Sequence, residues 1–185
     1  MNEITFITGN AAKAQYLADY FHFPVTHRKL DLDEIQSLDL EKIVRDKAER
    51  AYAIVQATVL VEDTSLTFEA LNGLPGPLVK WFYEPLGNEG LCKLLNGREN
   101  RNSVAEVKFA LCDGLGTHVF TGSREGSIAD LPRGEKGFGW DPIFIPKGYT
   151  QTWAEMPESD KHASSMRKIA LEQLAQFLTD PTTAS

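Results

Sequence analysis

The hydrophobic positions of the chain recur with two different periods, and their order along the sequence predicts the fold class. Short β-prone runs indicate strands at 4–7, 24–30 and 58–61. Apolar residues at helical spacing follow the first two runs. A strictly alternating stretch at 104–112 and a returning strand from 118 indicate a hairpin. Strands and helices are interleaved first and an antiparallel pair comes later, so we expect an α/β fold with a mixed central β-sheet flanked by helices.

The first strand leads through Thr8-Gly9-Asn10 into a helix that has Lys13 in its first turn. Asn10 is of a residue type that caps helix N-termini. A lysine in the first turn lies at the positive end of the helix dipole and is disfavoured there. An anion held jointly by the backbone N–H groups and the lysine would remove that conflict. An exposed lysine and an anion-binding turn explain this segment equally well.

A second unusual lysine lies in the helix predicted over 39–55. The apolar stripe of this helix starts at Leu40, and Lys47, seven residues later, falls inside the stripe. A lysine that faces inward needs either an anionic partner or a route for its head group to water. The pattern does not separate these two explanations.

Two neighbouring carboxylates, Glu62 and Asp63, follow the buried run at 58–61 and are expected to end that strand. Adjacent residues of a strand point to opposite faces, so we expect the two carboxylates to have different roles. Ligands of open α/β sheets collect beyond the carboxyl ends of strands. A polar strand terminus without a ligand is the common alternative.

The segment 134–142 combines three glycines with two aromatic residues and a carboxylate. Phe138 and Trp140 offer flat faces on which a base could stack, and Asp141 could accept a hydrogen bond from a ring N–H or an amino group. Glycine lets the backbone approach a ligand closely or adopt a positive φ. On this segment alone, a loop whose aromatic side chains fill the core is the simpler explanation.

The last helix is expected to begin near Ser159 or Asp160. Its N-terminal half carries Lys161, Arg167 and Lys168. Cations at that end oppose the helix dipole, which indicates either a nearby anion or a solvated basic face. For Lys168 the solvated face is the preferred interpretation.

Composition narrows the class of function. The chain has 185 residues, 42% of them hydrophobic and 24% charged, which fits one globular domain over 1–185 with a frayed tail over 179–185. Its net charge of −7 argues against non-specific nucleic-acid binding.

Cys92 and Cys112 lack metal-ligand spacing and are expected to be reduced core thiols. No signal peptide or membrane-spanning run is recognisable, so we expect a cytoplasmic protein without a membrane partner.

Five motifs together resemble the inosine triphosphate pyrophosphatase family, and the resemblance extends from Ile4 to about Phe177. They are Thr-Gly-Asn-x-x-Lys at 8–13, Val-Glu-Asp-Thr at 61–64, Gly-Leu-Pro-Gly-Pro-x-x-Lys-Trp-Phe at 73–82, Gly-Phe-Gly-Trp-Asp-Pro at 137–142 and Ala-Glu-Met at 154–156. Each motif alone is weak. All five in family order and at similar spacing are specific.

The resemblance implies a single NTP pyrophosphatase domain of two lobes with an active-site cleft between them. The implied activity is Mg²⁺-dependent hydrolysis of non-canonical purine nucleoside triphosphates (ITP, dITP and XTP) to the monophosphate and pyrophosphate. This reaction removes damaged nucleotides from the pool, and Mn²⁺ is a possible substitute for Mg²⁺. A homodimer is also implied, with Trp81 and Phe82 near the interface, although core positions explain that pair equally well.

The resemblance further assigns a role to each site residue. Glu34 and Asp63 would hold the metal, and Asp63 would act in catalysis together with Lys13 and Lys47. The residues that would hold the triphosphate are Thr8, Gly9, Asn10, Ala11, Ala12, Lys13, Lys47 and Lys80. The remaining substrate-binding residues are Thr64, near the substrate, and those around the purine: Phe138, Gly139, Trp140, Asp141, Lys161, Met166 and Arg167.

One position departs from the family pattern, because Ser-His-Arg is replaced by Ser165-Met166-Arg167. The family histidine is expected to contact the purine near its 6-position, and methionine cannot donate a comparable hydrogen bond. Met166 also fits the apolar stripe of its helix and could face the core. A lost donor would relax base discrimination. A pyrophosphatase with a broader base range is therefore the first alternative, and a nucleotide-binding protein without catalysis is the second.

Overall fold

Within the described residues, seven strands form one β-sheet, and the sheet is mixed, as the sequence predicts. The computed structural model describes residues 3–9, 11–21, 24–137 and 139–179. The strands are β1 (Ile4–Ile7), β2 (Val25–Arg28), β3 (Val59–Phe68), β4 (Pro75–Gly76), β5 (Asn102–Cys112), β6 (Thr117–Ile128) and β7 (Phe144–Pro146). Their order is β2-β1-β3-β5-β6-β7, and β4 pairs with β3. β1 is parallel to β2 and β3, whereas β3–β4 and β6–β7 are antiparallel.

Five α-helices accompany the sheet in the described residues. They are α1 (Ala11–Phe21), α2 (Leu40–Val55), α3 (Val79–Lys93), α4 (Glu158–Ser164) and α5 (Met166–Thr179), with a short 3₁₀ turn at Glu69–Leu71. The chain divides into two compact units. Unit 1 contains Met1–Asp63, Lys108–Thr121 and Ala170–Ser185, and unit 2 contains Thr64–Val107 and Gly122–Ile169.

The helix predicted over 39–55 is confirmed by α2. The carboxylate of Asp39 accepts hydrogen bonds from the backbone N–H groups of Glu41 (3.0 Å) and Lys42 (3.3 Å), which fixes the start of the helix. The apolar stripe packs into the core of unit 1 against residues of β1, β3 and β5, with Val44, Ala48 and Ala51 among its buried members. This packing sets which face of α2 turns inward, and Lys47 lies next to it.

Two predicted boundaries are wrong. Glu62, Asp63, Thr64 and Ser65 do not end a strand, because β3 continues to Phe68. The turn around Gly73 brings β4 back to pair with β3, and this pairing extends the strand. The four polar residues therefore lie in the interior of β3.

The last helix is in fact two helices separated by Ser165. That residue has an extended backbone (φ −70°, ψ 132°), and its hydroxyl accepts a hydrogen bond from the Arg167 N–H at 3.1 Å. Ser165 thus caps the start of α5, and Met166 is the first residue of α5. The single helix predicted to begin near Ser159 or Asp160 therefore corresponds to α4 and α5 together, and the break at Ser165 was not predicted.

The two cysteines are buried and free, as predicted, and burial raises the pKa of Cys92 to about 11. In the part of the chain that the structure describes, no helix is long and apolar enough to cross a membrane. The predicted frayed tail lies outside the described residues beyond Thr179.

Candidate active site

In unit 1, an ion pair joins the first unusual lysine to β3. Lys13 Nζ of α1 lies 2.9 Å from Glu62 Oε1, and the Glu62 side chain is 9% exposed. A carboxylate so enclosed needs a cationic partner, because burying an unpaired charge is strongly unfavourable. The sequence left an exposed lysine and an anion-binding turn equally open for Lys13, and the structure places its ammonium beside the carboxylate of Glu62.

The second unusual lysine lies between two further carboxylates. Lys47 Nζ is 2.5 Å from Glu34 Oε1 and 3.7 Å from Asp63 Oδ2. The Lys47 side chain is 17% exposed, so its partner is anionic and solvent is not its main environment. Burial alone would lower the pKa of Lys47, but the charge of Asp63 and the hydrogen bond to Glu34 outweigh this effect and hold its pKa above the usual value. Lys47 is therefore a charged ammonium at neutral pH.

Glu62 and Asp63 have different partners, as their neighbouring positions on one strand predict. Glu62 contacts the lysine of α1 and Asp63 contacts the lysine of α2. Lys47 of α2 thus lies between a carboxylate of the loop before α2 and a carboxylate of β3. The structure brings together Glu34, Lys47 and Asp63, three residues to which the family resemblance assigned roles in one site.

These carboxylates suit a magnesium ion. Mg²⁺ is commonly held by one or two carboxylates together with substrate phosphates, without a full protein cage. Glu34 and Asp63 form such a pair, and both already approach a single positive charge, the ammonium of Lys47. Among the described residues, no group of three or more His, Cys, Asp or Glu side chains could hold a metal. Two carboxylates of the chain together with phosphates of a substrate would make such a donor set.

The turn between β1 and α1 lies at the carboxyl end of β1. The Thr8 N–H donates to the Arg28 carbonyl of β2 at 3.1 Å, and Gly9 is exposed. Ala11 and Ala12 open α1, and Asn10 lies outside the described residues. The predicted anion-binding turn therefore sits at the start of α1, the helix that carries Lys13.

Unit 2 contains a second buried ion pair, between two residues predicted to bind the base. Asp141 is 8% exposed, and its Oδ2 lies 2.9 Å from Lys161 Nζ of α4. The pair lines a small cavity of about 30 Å³. The lining residues are Asp141, Trp153, Lys161, Ser165, Met166 and Arg167. Pockets for small-molecule ligands commonly have volumes of about 300–1,000 Å³, so a purine would need the cavity to widen.

The backbone next to this pair requires glycine. Gly137 has φ +84°, and a Cβ at this residue would lie 2.2 Å from Asp141 Oδ2 and 2.9 Å from Lys161 Nζ. Any side chain would therefore displace the ion pair, in addition to the strain of the left-handed backbone. Gly139 also has a positive φ (+59°), but nothing lies within 4 Å of a Cβ there.

Trp140 of this segment packs against other aromatic rings. The ring of Trp140 packs against Phe144 (centroids 5.9 Å apart) and Trp153 (5.7 Å) and is half-buried. One side of the ring thus contacts the core, and the part that stays exposed leaves base stacking by Trp140 a prediction. Phe138 lies outside the described residues.

The other predicted residues of unit 2 have varied surroundings. Met166 is 2% exposed and also lines the small cavity, so it belongs to the core and to the cavity wall together. Arg167 and Thr64 are half-buried. Lys80 is exposed, and its nearest ion-pair partner is Glu84 at 3.9 Å. Trp81 is 64% exposed, so a core position is wrong for that residue.

The sequence singled out Glu62 for a role different from that of Asp63, but did not connect it with Lys13. Two further residues of these sites were not found from the sequence. Asn88 of α3 donates to the Gly139 carbonyl at 2.9 Å, and nothing in the sequence connects these two residues. Trp153 lines the small cavity and donates through Nε1 to Ser164 Oγ at 2.9 Å.

Comparison with known proteins gives a consistent result across the chain. Residues 4–177 match the model of the Ham1 family. The inosine triphosphate pyrophosphatase of Yarrowia lipolytica is 46% identical over 182 residues, which is 96% of this chain and 96% of that protein. Inosine triphosphate pyrophosphatase 2 of Trypanosoma cruzi is 45% identical over 177 residues, covering 94% of this chain and 90% of that protein.

Solved structures agree with the fold. The Ham1 protein of Staphylococcus aureus superimposes with a TM-score of 0.85 at 28% identity, covering 95% of this chain and 97% of that chain. A HAM1 protein from Coxiella burnetii gives a TM-score of 0.87 at 28% identity, covering 97% of this chain and 99% of that chain.

Proposed function

The chain belongs to the Ham1 family and is a nucleoside triphosphate hydrolase, and from that premise we propose that it converts non-canonical purine nucleoside triphosphates to the monophosphate and pyrophosphate. ITP, dITP and XTP are the proposed substrates. The single observation that carries the proposal is the convergence of Glu34 and Asp63 on Lys47. Next to Asp63 on β3, Glu62 pairs with Lys13 of α1. A protein that only bound nucleotides would not need two carboxylates at a cation.

The proposed chemistry in unit 1 depends mainly on charge. Lys13 and Lys47 are fixed ammonium groups that would stabilise the phosphate oxygens and the leaving pyrophosphate, the electrostatic contribution that dominates phosphoryl transfer. Mg²⁺ held by Glu34 and Asp63 would supply further neutralisation of the phosphate charge. Lys80 is proposed as a phosphate contact on the family resemblance alone.

Asp63 is the proposed base. Its carboxylate would orient the attacking water and accept a proton from it while the oxygen bonds to phosphorus. The α–β phosphoanhydride bond breaks in the same step, and pyrophosphate leaves. Asp63 suits this role better than Glu62, because Glu62 is almost enclosed and bonded to Lys13.

Unit 2 would recognise the base. The Asp141 carboxylate can accept from a ring N–H or amino group, and Lys161 and Arg167 can donate to a 6-keto oxygen. Met166 adds no comparable donor to the wall it shares with them. The missing donor is the reason for the second candidate, in which the same reaction runs with a broader base range.

The assembly and location are also proposals. From the family resemblance we propose a cytoplasmic homodimer, with the exposed Trp81 of α3 near its interface. Sedimentation of the protein and of Trp81→Glu would test the assembly, with a monomeric variant expected.

Pyrophosphate release from ITP, XTP, GTP and ATP, measured in parallel with Mg²⁺ and with EDTA, tests the function. Mg²⁺-dependent release from ITP and XTP alone is expected. Similar rates with all four would support the broader base range. No release, together with binding of ITP, would leave a nucleotide-binding protein without catalysis.

A further inference from the structure

Asn88 reaches the glycine-rich segment from a helix that is distant in sequence. It is the first residue after a break in α3 at Gly87, which has non-helical angles (φ 61°, ψ −175°). Asn88 Nδ2 donates to the carbonyl oxygen of Gly139, 51 residues away, at 2.9 Å. The bond therefore ties α3 to the segment that carries Trp140 and Asp141.

The side-chain oxygen of Asn88, Oδ1, indicates that the bond to Gly139 does not arise from helix capping. An asparagine oxygen near a helix start commonly accepts a backbone N–H. Asn88 Oδ1 is instead buried, and the described residues offer it no hydrogen-bond donor. Reversing the amide would place this oxygen against the Gly139 carbonyl oxygen, so the amide orientation is set by the bond to Gly139. The side chain keeps that bond while leaving an acceptor buried and unpaired.

The following residues of the segment are anchored from another side. The Ala154 N–H donates to the Asp141 carbonyl at 3.3 Å, and the Arg133 N–H donates to the Pro142 carbonyl at 2.9 Å. The Asp141 carboxylate is held by Lys161. With Gly139 held by Asn88, the backbone on the N-terminal side of Asp141 has its own anchor.

We propose that Asn88 is a positioning residue for base recognition. By holding the Gly139 carbonyl it fixes the backbone path over 139–141, from which Trp140 and Asp141 meet the purine. The inference rests on the proposed function, since it requires those two residues to contact the base. Asn88 has no part in the charge network of Lys13 and Lys47, so its effect falls on base binding and not on the chemical step.

Calorimetric titration with IMP and, separately, with pyrophosphate tests the proposal, using wild type, Asn88→Leu and Asn88→Asp. Leucine has nearly the shape of asparagine but no donor, and aspartate places an acceptor against the Gly139 carbonyl. The matched control is Asn96→Leu at an exposed asparagine after α3. We expect IMP affinity to fall about fivefold or more in both Asn88 variants, as for one lost hydrogen bond. Pyrophosphate affinity is expected to stay within about twofold in all proteins.

Stability separates positioning from a merely structural role. Asn88→Leu removes the buried, unpaired acceptor, and Gly139 is only partly buried, so its carbonyl can turn to water. We therefore expect the melting temperature of Asn88→Leu to equal or exceed that of wild type while its preference for IMP over AMP decreases. A lower melting temperature with unchanged IMP affinity, or an equal loss of IMP and pyrophosphate affinity, would overturn the proposal.

The same titrations distinguish this proposal from the proposed function. A wild type that binds IMP but releases no pyrophosphate from ITP would contradict the catalytic function only, and the Asn88 comparison would remain decisive. A wild type that does not bind IMP would overturn the positioning role as well.

Discussion

Glu62 and Asp63 are neighbours on β3, yet each holds a different lysine: Glu62 lies 2.9 Å from Lys13 Nζ and Asp63 lies 3.7 Å from Lys47 Nζ. The shorter, more enclosed pair is the one whose carboxylate has no proposed chemical role. Because its contact is longer, Asp63 is held less closely by its lysine than Glu62 is. The two acids therefore have different surroundings, and we expect their amide variants to affect catalysis and stability differently.

We expect Asp63→Asn to reduce kcat for ITP by about 10²–10³ or more, since one aimed catalytic contact commonly contributes that much. The fold should be retained, because asparagine has the same shape and β3 is held by backbone pairing. Steady-state pyrophosphate release, with circular dichroism as the check on folding, measures both. A folded variant with near-wild-type kcat would contradict the role of Asp63.

Glu62→Gln is expected to lower stability more than catalytic rate. Its amide oxygen can still accept from Lys13, but the enclosed ion pair is lost, so the melting temperature falls while kcat stays within about tenfold of wild type. Thermal unfolding and steady-state kinetics of the two variants side by side provide the measurement. A kcat loss as large as that of Asp63→Asn would show that Glu62 takes part in the chemistry.

Stability should depend on alkaline pH through Lys47. Its folded-state pKa is raised above the ordinary value of 10.5. A raised pKa means that the folded state binds the proton more tightly, so this contribution is fully present below about pH 10.5 and is lost as pH rises through the folded-state pKa. Urea unfolding of wild type and Lys47→Met between pH 8 and 11.5 measures the difference. The stability difference between the two is expected to change only above about pH 10.5; a change centred near neutrality would contradict the charged ammonium.

Single residues show how far the sequence predicted these sites. Lys47 was predictable because a lysine inside an apolar helical stripe conflicts with burial unless it has a partner. The distinct roles of Glu62 and Asp63 followed from strand alternation. Both predictions use patterns among residues that are close in sequence, namely helical spacing and strand alternation.

The missed features depend on contacts between distant segments. β3 runs past Ser65 because β4 returns to pair with it, and β7 exists because β6 offers it an edge. The break at Ser165 depends on one serine hydroxyl that caps α5, inside a stretch whose apolar spacing continues without interruption. The bond from Asn88 to Gly139 spans 51 residues and has no periodic signature.

Two glycines of one segment provide a matched pair of variants. Gly137→Ala would place a methyl group 2.2 Å from Asp141 Oδ2, whereas Gly139→Ala meets nothing within 4 Å. Both residues have positive φ, so both variants carry a backbone cost of about 1–2 kcal/mol. Only Gly137→Ala also disrupts the Asp141–Lys161 pair. We expect a larger loss of stability and at least a tenfold weaker affinity for IMP in Gly137→Ala than in Gly139→Ala, measured by urea unfolding and calorimetry. Equal effects would show that backbone strain alone explains both.

Met166 allows the base preference to be tested by substitution. It lies in the wall of the small cavity next to Arg167 and is nearly fully buried. Met166→His introduces a ring donor at the position where the family pattern has histidine, so the ratio of kcat/KM for ITP to that for ATP is expected to rise by about fivefold, the value of one hydrogen bond. The melting temperature should fall, because a polar ring replaces an apolar side chain in the core. Met166→Leu, which keeps the apolar volume and adds no donor, is the control and should leave the ratio within about twofold. An unchanged ratio in a folded Met166→His would mean that Met166 acts in the core only, and that base discrimination depends on the Asp141–Lys161 pair.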